Sequence, residues 1–118
     1  MSATREVGRY GEDVAARWVE ERGWAVLARN WRCEHGEVDL VARDGPDLVV
    51  IEVKTRRSQA YGPPQEAVTR AKVERLRRLA AAWLSRDGSR CRDVRVDVLA
   101  VSLPRAGAAR VEHVRGVS

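Results

Sequence analysis

Two short segments constrain this chain more than anything else in it: Gly36-Glu37-Val38-Asp39-Leu40-Val41-Ala42 and Leu48-Val49-Val50-Ile51-Glu52-Val53-Lys54. Both are rich in β-branched and aliphatic residues, and Asp44-Gly45-Pro46-Asp47 between them is a run of turn formers, so they read as a β-hairpin. Strands this apolar normally exclude charge, because an unpaired buried carboxylate costs several kcal/mol. Asp39, Glu52 and Lys54 nonetheless lie inside them. Charge kept in such places points to a metal ion or a reaction.

The register sharpens the point. With residues 44–47 as the loop, Arg43 faces Leu48, Asp39 falls opposite Glu52, and Glu37 falls opposite Lys54. A tighter turn on Gly45-Pro46 keeps that pairing, and a type I′ turn on Asp44-Gly45 shifts the partners but keeps the faces. A three-residue loop would send Asp39 to the opposite side. In the first three cases Asp39, Glu52 and Lys54 project from one face, and Val38, Leu40, Ala42, Val49, Ile51 and Val53 make the other face wholly apolar.

Two carboxylates about 5 Å apart across a strand pair can share a hard divalent cation through their oxygens. Such an ion lowers the pKa of a water and stabilises charge growing on a phosphate oxygen. Lys54 follows Glu52 on the same face, within reach of the same water or phosphate. Of 22 basic residues only Lys54 and Lys72 are lysine. A lysine kept at 54 in so arginine-rich a chain suggests a compact ammonium that a planar guanidinium does not replace. The plain alternative is a cross-strand salt-bridge network on an exposed sheet face.

At 118 residues the chain suits one compact domain, with 44% hydrophobic and 33% charged residues as in soluble globular proteins. No apolar run approaches the ~20 residues that cross a bilayer. Met1-Ser2-Ala3-Thr4-Arg5-Glu6 lacks the apolar core of a signal peptide. A cytoplasmic protein with no membrane partner is therefore expected. Cys33 and Cys91 form neither a metal-spaced pair nor a disulfide framework, and adding His35 and His113 gives no zinc-like spacing. A net charge of +5 favours polyanion partners through phosphate neutralisation and counterion release.

Residues 8–22 carry Val14, Ala15, Trp18 and Val19 at helical spacing, with Gly23 as a fitting stop. Glu12 falls at the edge of that apolar arc. It either approaches a metal from above the sheet or is a first-turn charge favoured by the helix dipole. Residues 24–33 read as a first strand, and the hairpin supplies the second and third. A polar loop over 56–64 carries Arg56, Arg57, Tyr61 and Gly62-Pro63-Pro64. A second helix over 65–85 puts Val73, Leu76, Leu79, Ala80, Trp83 and Leu84 on its core side, and Asp87-Gly88 ends it. Arg70, Lys72, Arg75, Arg77 and Arg78 occupy its other faces as a basic patch. Residues 93–103 alternate as a fourth strand and 110–115 as a short fifth. The expected fold is a single α/β domain over residues 1–118, with a central mixed sheet of four to five strands flanked by two main helices.

This order and these motifs resemble the restriction-endonuclease-like superfamily, whose signature is an aspartate followed on the next strand by Glu-x-Lys. The resemblance is closer to the YraN-like uncharacterised family within it. It rests on Gly8-x-x-Gly11-Glu12-x-x-Ala15, Arg29-Asn30-Trp31-Arg32, the two strand motifs above, Gly62-x-Pro64-x-Glu66-Ala67-Val68, Lys72 and Arg95-x-Asp97-Val98. Val38 stands where the superfamily often has proline. The resemblance implies a metal-dependent nuclease fold related to archaeal Holliday-junction resolvases. Asp39 and Glu52 are then the metal ligands, Lys54 the water-orienting or charge-stabilising residue, and Glu12 an additional acid.

The leading expectation is a Mg²⁺-dependent endonuclease, with Mn²⁺ as a substitute ion, hydrolysing phosphodiester bonds of branched or otherwise structured DNA. Arg56, Arg57, Lys72 and Arg75 are expected to grip phosphates, which positions a nucleic acid without reading its sequence. DNA is preferred to RNA because the chain lacks the aromatic stacking pattern of single-strand RNA readers. Trp18, Trp24, Trp31 and Trp83 are better explained as core or near-core residues. Resolvase-like enzymes suggest a homodimer. The rival from another class is a binding module that holds nucleic acid or protein on a nuclease fold without cutting.

Overall fold

In a computed structural model of the chain, residues 3–57, 68–88 and 90–117 are described. Helix α1 (Ala3–Glu21) is followed by strands β1 (Ala25–Cys33), β2 (Gly36–Asp44) and β3 (Asp47–Arg56). Helix α2 (Arg70–Asp87) and strands β4 (Val94–Ser102) and β5 (Arg110–Val114) complete the order αβββαββ. The expected succession holds, and the short fifth strand is present.

The strands form one mixed sheet in sequence order, antiparallel throughout except for the parallel β3–β4 pair. Parallel neighbours need a long crossover, and α2 lies within it. Ala15, Ala16 and Val19 of α1 pack on one face against Leu40, Ala42, Val49, Ile51, Leu99 and Val101. Val73, Leu76, Leu79 and Ala80 of α2 pack on the other against Val38, Val41, Leu48, Val50 and Val96. β3 is the middle strand and is buried on both faces from residue 47 to 52, then opens over 53–56. Burial on both sides is why residues 48–51 are continuously apolar rather than alternating.

The hairpin adopts the tighter of the expected turns. Asp44 pairs with Asp47, Arg43 with Leu48, Ala42 with Val49 and Leu40 with Ile51. Gly45 has φ 58°, and the ring of Pro46 fixes φ near about −65°, as the two central positions of a II′ turn require.

One expectation about this hairpin is corrected. Val38 does not share a face with Leu40 and Ala42; it packs on the α2 side, whereas Leu40 and Ala42 pack under α1. The cause lies in the neighbouring strand. Trp31 pairs with Val38 and Arg29 with Leu40, leaving Asn30 opposite Asp39. Asn30 has φ 51°, a left-handed conformation that asparagine tolerates better than most residues. The irregularity at this step breaks the two-residue alternation, as a bulge does, and sets Asp39 between the two faces.

The helix starts also differ from those read in the sequence. α1 begins at Ala3 rather than at residue 8, so Gly8 lies inside it. α2 begins at Arg70 rather than at 65, because Thr69 caps it: its backbone is extended (φ −80°, ψ 165°) and its hydroxyl accepts the Lys72 N–H at 3.1 Å. Tyr61, Gly62-Pro63-Pro64 and residues 65–67 of the expected helix lie outside the described residues. At the other end Gly88, in the left-handed region at φ 75°, donates to the Leu84 carbonyl at 2.9 Å, the expected stop. No described helix is long and apolar enough to cross a membrane.

Candidate functional site

The site forms where β3 emerges from between the helices. Glu52 is the last residue of its buried stretch and is 7% exposed. Its Oε2 lies 3.5 Å from Lys54 Nζ, on the same strand and face, and 3.3 Å from Lys72 Nζ, in the first turn of α2. The carboxylate is thus held by two ammonium groups from different elements. Thr69 fixes the second of these by capping the turn that carries it.

Asp39 is next along the hairpin register after the Leu40–Ile51 pair. Hydrogen-bonded pairs alternate from a two-residue turn, so a continued ladder would direct the Val53 N–H to the carbonyl of residue 38. That N–H instead donates to Asp39 Oδ2 at 2.8 Å. The side chain replaces the backbone ladder where the sheet is irregular, and this anchors it beside Glu52.

The Asp39 carboxyl is pushed up from 3.8 to about 6. Burial is the largest cause; the Val53 N–H opposes it, and the charges of Glu52, Glu12 and Glu37 add to the rise. The structure therefore brings Glu12 of α1 close enough to act on Asp39, along with Glu37, which pairs outward with Arg32 at 3.1 Å. Gly11 makes the approach of α1 possible. A Cβ there would lie 1.9 Å from Thr55 Oγ1 and 2.8 Å from Thr55 Cβ, so only glycine lets the helix backbone rest on β3. Asp13 adds a tie to β1 through Arg29 at 2.6 Å.

The donors here are carboxylate oxygens, and like charges are pressed together in a partly buried place. Neither Asp39 Oδ1 nor Glu52 Oε1 has a hydrogen-bond or ion-pair partner among the described residues. Such a set suits a hard cation. Among the described residues no three or more His, Cys, Asp or Glu side chains form a cage. Mg²⁺ needs no cage: it keeps several waters and is held by one or two carboxylates with substrate phosphates.

The expected phosphate-gripping residues do not gather at one point. Lys72 turns to Glu52. Arg56, half-buried at the end of β3, accepts the Leu103 N–H through its carbonyl at 2.8 Å. Arg57 is exposed beside Tyr10 of α1, and Arg75 lies over the start of β2, where a Cβ at Gly36 would be 3.6 Å from its Cδ. The four tryptophans are partly buried and pair edge to face, Trp18 with Trp24 at 5.8 Å and Trp31 with Trp83 at 5.4 Å. Cys33 and Cys91 are free thiols.

Sequence reasoning gave Asn30 no role beyond its place in a motif, whereas its left-handed backbone lies opposite Asp39; an asparagine, a poor strand former, inside β1 was the available signal. It placed Asp97 in a motif but gave it no role; the residue is fully buried and accepts from Arg95 Nε at 3.0 Å and Gly116 N–H at 3.0 Å, with His113 Nε2 at 2.7 Å. A lone acid in Val94-Arg95-Val96-Asp97-Val98 was the signal there.

Residues 11–101 match the uncharacterised protein family UPF0102. The chain is similar to the UPF0102 protein of Beutenbergia cavernae, 62% identical over 117 residues and covering 99% of each chain. It is 57% identical over 119 residues to that of Kineococcus radiotolerans, covering 100% of this chain and 98% of the other. With the UPF0102 protein of Streptomyces griseus it shares 55% over 119 residues, covering both chains completely. With the match spanning most of the sequence and such relatives along its full length, the chain belongs to UPF0102, the YraN-like family.

Proposed function

We propose that the protein is a metal-dependent endonuclease hydrolysing phosphodiester bonds of branched or otherwise structured DNA. The observation that carries this reading is the Asp39–Glu52 pair: two acids set side by side at the open end of a buried strand, with Lys54 and Lys72 against one of them. The resemblance of the wider set of motifs to restriction-endonuclease-like proteins supports it. Asp39 and Glu52 would hold Mg²⁺, with Mn²⁺ as a substitute. When bound, the ion supplies polarisation of the scissile phosphate and a lowered pKa for an attacking water. Lys54, already fixed against Glu52, donates a hydrogen bond to that water or offsets charge on the pentacovalent phosphate. Lys72 presents a second ammonium to the same centre, and Glu12 orients the water from the α1 side. Arg56, Arg57 and Arg75 engage neighbouring phosphates.

The test is cleavage of a four-way DNA junction with Mg²⁺ by Asp39→Ala and Lys54→Ala proteins that melt like the wild type. Each is expected to cut at least about 100-fold more slowly, the scale of removing one transition-state partner. Undiminished cutting by both variants rejects the assigned roles. The lysine clamp on Glu52 favours one other reading, a nuclease fold that binds without cutting and keeps its acids in ion pairs. EDTA-resistant binding, with no metal-dependent products from any DNA or RNA form, would select that reading.

A further inference from the structure

A groove of about 410 Å³ lies on the far side of α1 from the acid cluster, lined by Tyr10, Arg57, Leu103, Pro104, Arg105 and Ala109. Tyr10 is 52% exposed, the larger exposure of the two big apolar side chains that stand in solvent among the described residues. Arg57 and Arg105 are exposed and make no ion pair with any described residue. An open aromatic ring that shares a groove with two cations lacking carboxylate partners among the described residues is suited to a flat, anionic ligand. Aromatic rings stack on bases whatever their identity, and nearby cations follow the backbone.

The position of the groove says which ligand. Gly11 rests on Thr55 of β3, and Tyr10 and Glu12 flank that contact. Two helical residues apart are separated by ~3 Å along the axis and ~200° around it, so these two side chains leave α1 on opposed sides. Glu12 reaches toward Asp39, while Tyr10 reaches toward the β4–β5 connection. The groove and Glu12 therefore lie on either side of one glycine contact. An α-helix is about 10–12 Å across with its side chains and a DNA strand advances about 3.4 Å per nucleotide in a duplex, so a strand passing from one side of α1 to the other spans about three to four nucleotides.

We propose that this groove is a subsite for an unpaired DNA base flanking the cut, with the base stacked on Tyr10 and its adjoining phosphates taken by Arg57 and Arg105. The location of the cut rests on the nuclease reading; the stacking site itself does not. It gives that reading a source of preference for branched over flush duplex DNA, since a flap or bulge offers an unpaired base without the few kcal/mol of unstacking one from a duplex.

The test is equilibrium binding of the full chain in EDTA, by fluorescence anisotropy, to a flush duplex and to the same duplex with a short single-stranded flap carrying 2-aminopurine. Tyr10→Ala is expected to weaken flap binding about 5- to 100-fold, the range for losing one stacked base, and to abolish the change in 2-aminopurine emission. Flush-duplex affinity should stay within about twofold, and Tyr10→Phe should behave as wild type on both. Arg57→Gln and Arg105→Gln should each flatten the salt dependence of flap binding by about 0.7, one single-strand phosphate contact. Tyr10 is solvent-facing, so the variants should melt with the wild type. Flap binding unchanged in Tyr10→Ala, or weakened equally with the flush duplex, overturns the subsite. If the wild type cuts DNA in Mg²⁺ with that result, the subsite falls alone. If it cuts nothing yet holds flaps through Tyr10, the nuclease reading falls alone. A wild-type chain that binds no DNA form overturns both.

Discussion

Asp39 is a carboxylate kept in a place that resists its charge. Its folded value of about 6 lies above the ordinary 3.8, so between those two values the folded state binds a proton that the unfolded chain has released. Stability from this group is therefore full below pH 3.8 and is lost as pH rises through about 6. At about 1.4 kcal/mol per unit, the loss is on the order of 2–3 kcal/mol. Asn at this position keeps an oxygen for the Val53 N–H and drops the charge. In EDTA, Asp39→Asn should accordingly be more stable than the wild type by about 2–3 kcal/mol near pH 8, and equal to it near pH 4. Urea denaturation at both pH values measures this; no gain near pH 8 would mean that burial does not penalise the Asp39 charge. At this scale the sequence already pointed to Asp39, Glu52 and Lys54, because charge inside apolar strands is conspicuous. It read Lys72 as one of several phosphate-gripping cations; only with α2 docked does its ammonium lie 3.3 Å from Glu52.

Among the elements, α1 shows how a single contact sets the site. Gly8 and Gly11 are one turn apart in the same helix, yet a Cβ at Gly8 meets nothing within 4 Å while one at Gly11 strikes Thr55. Gly8→Ala is expected to stabilise the protein by about 0.5–1 kcal/mol through helix propensity. Gly11→Ala should destabilise it by about 1–3 kcal/mol, because the helix has to lift from β3. The same lift carries Glu12 away from Asp39, so on the nuclease reading the second variant should also cut a junction more slowly. Chemical denaturation of the pair checks the first part, and equal effects at the two glycines would refute it. The hairpin was readable from sequence because alternation and turn chemistry act within a few residues. The turnover at Asn30 was not: nothing local compels a left-handed asparagine at that step, and only the paired sheet with a helix on each face selects it.

Across the whole molecule the counterpart of the acid cluster is Asp97, on the α1 side of the sheet and toward the hairpin turn. It joins Arg95 of its own strand, His113 of β5 and the Gly116 N–H, and Arg95 continues to Asp44 at 3.1 Å and Asp47 at 3.8 Å. Four parts of the chain are thus tied through one buried carboxylate. Removing it leaves a guanidinium with 11% side-chain exposure partly uncompensated, so Asp97→Ala should cost about 3–5 kcal/mol. Thermal or urea unfolding reads this, and a cost below about 1 kcal/mol would make the network incidental. The sequence by itself determined the order of the elements, the hairpin and its two strand acids, since each follows from periodicity and turn residues a few positions apart. Tertiary structure alone decided that Lys72 meets Glu52, that Glu12 comes to Asp39, that Val38 turns to α2 and that Asp97 is a hub. Those contacts join segments far apart in the chain, and which of them form depends on how two helices pack on opposite faces of one sheet, a property that no short window of residues contains.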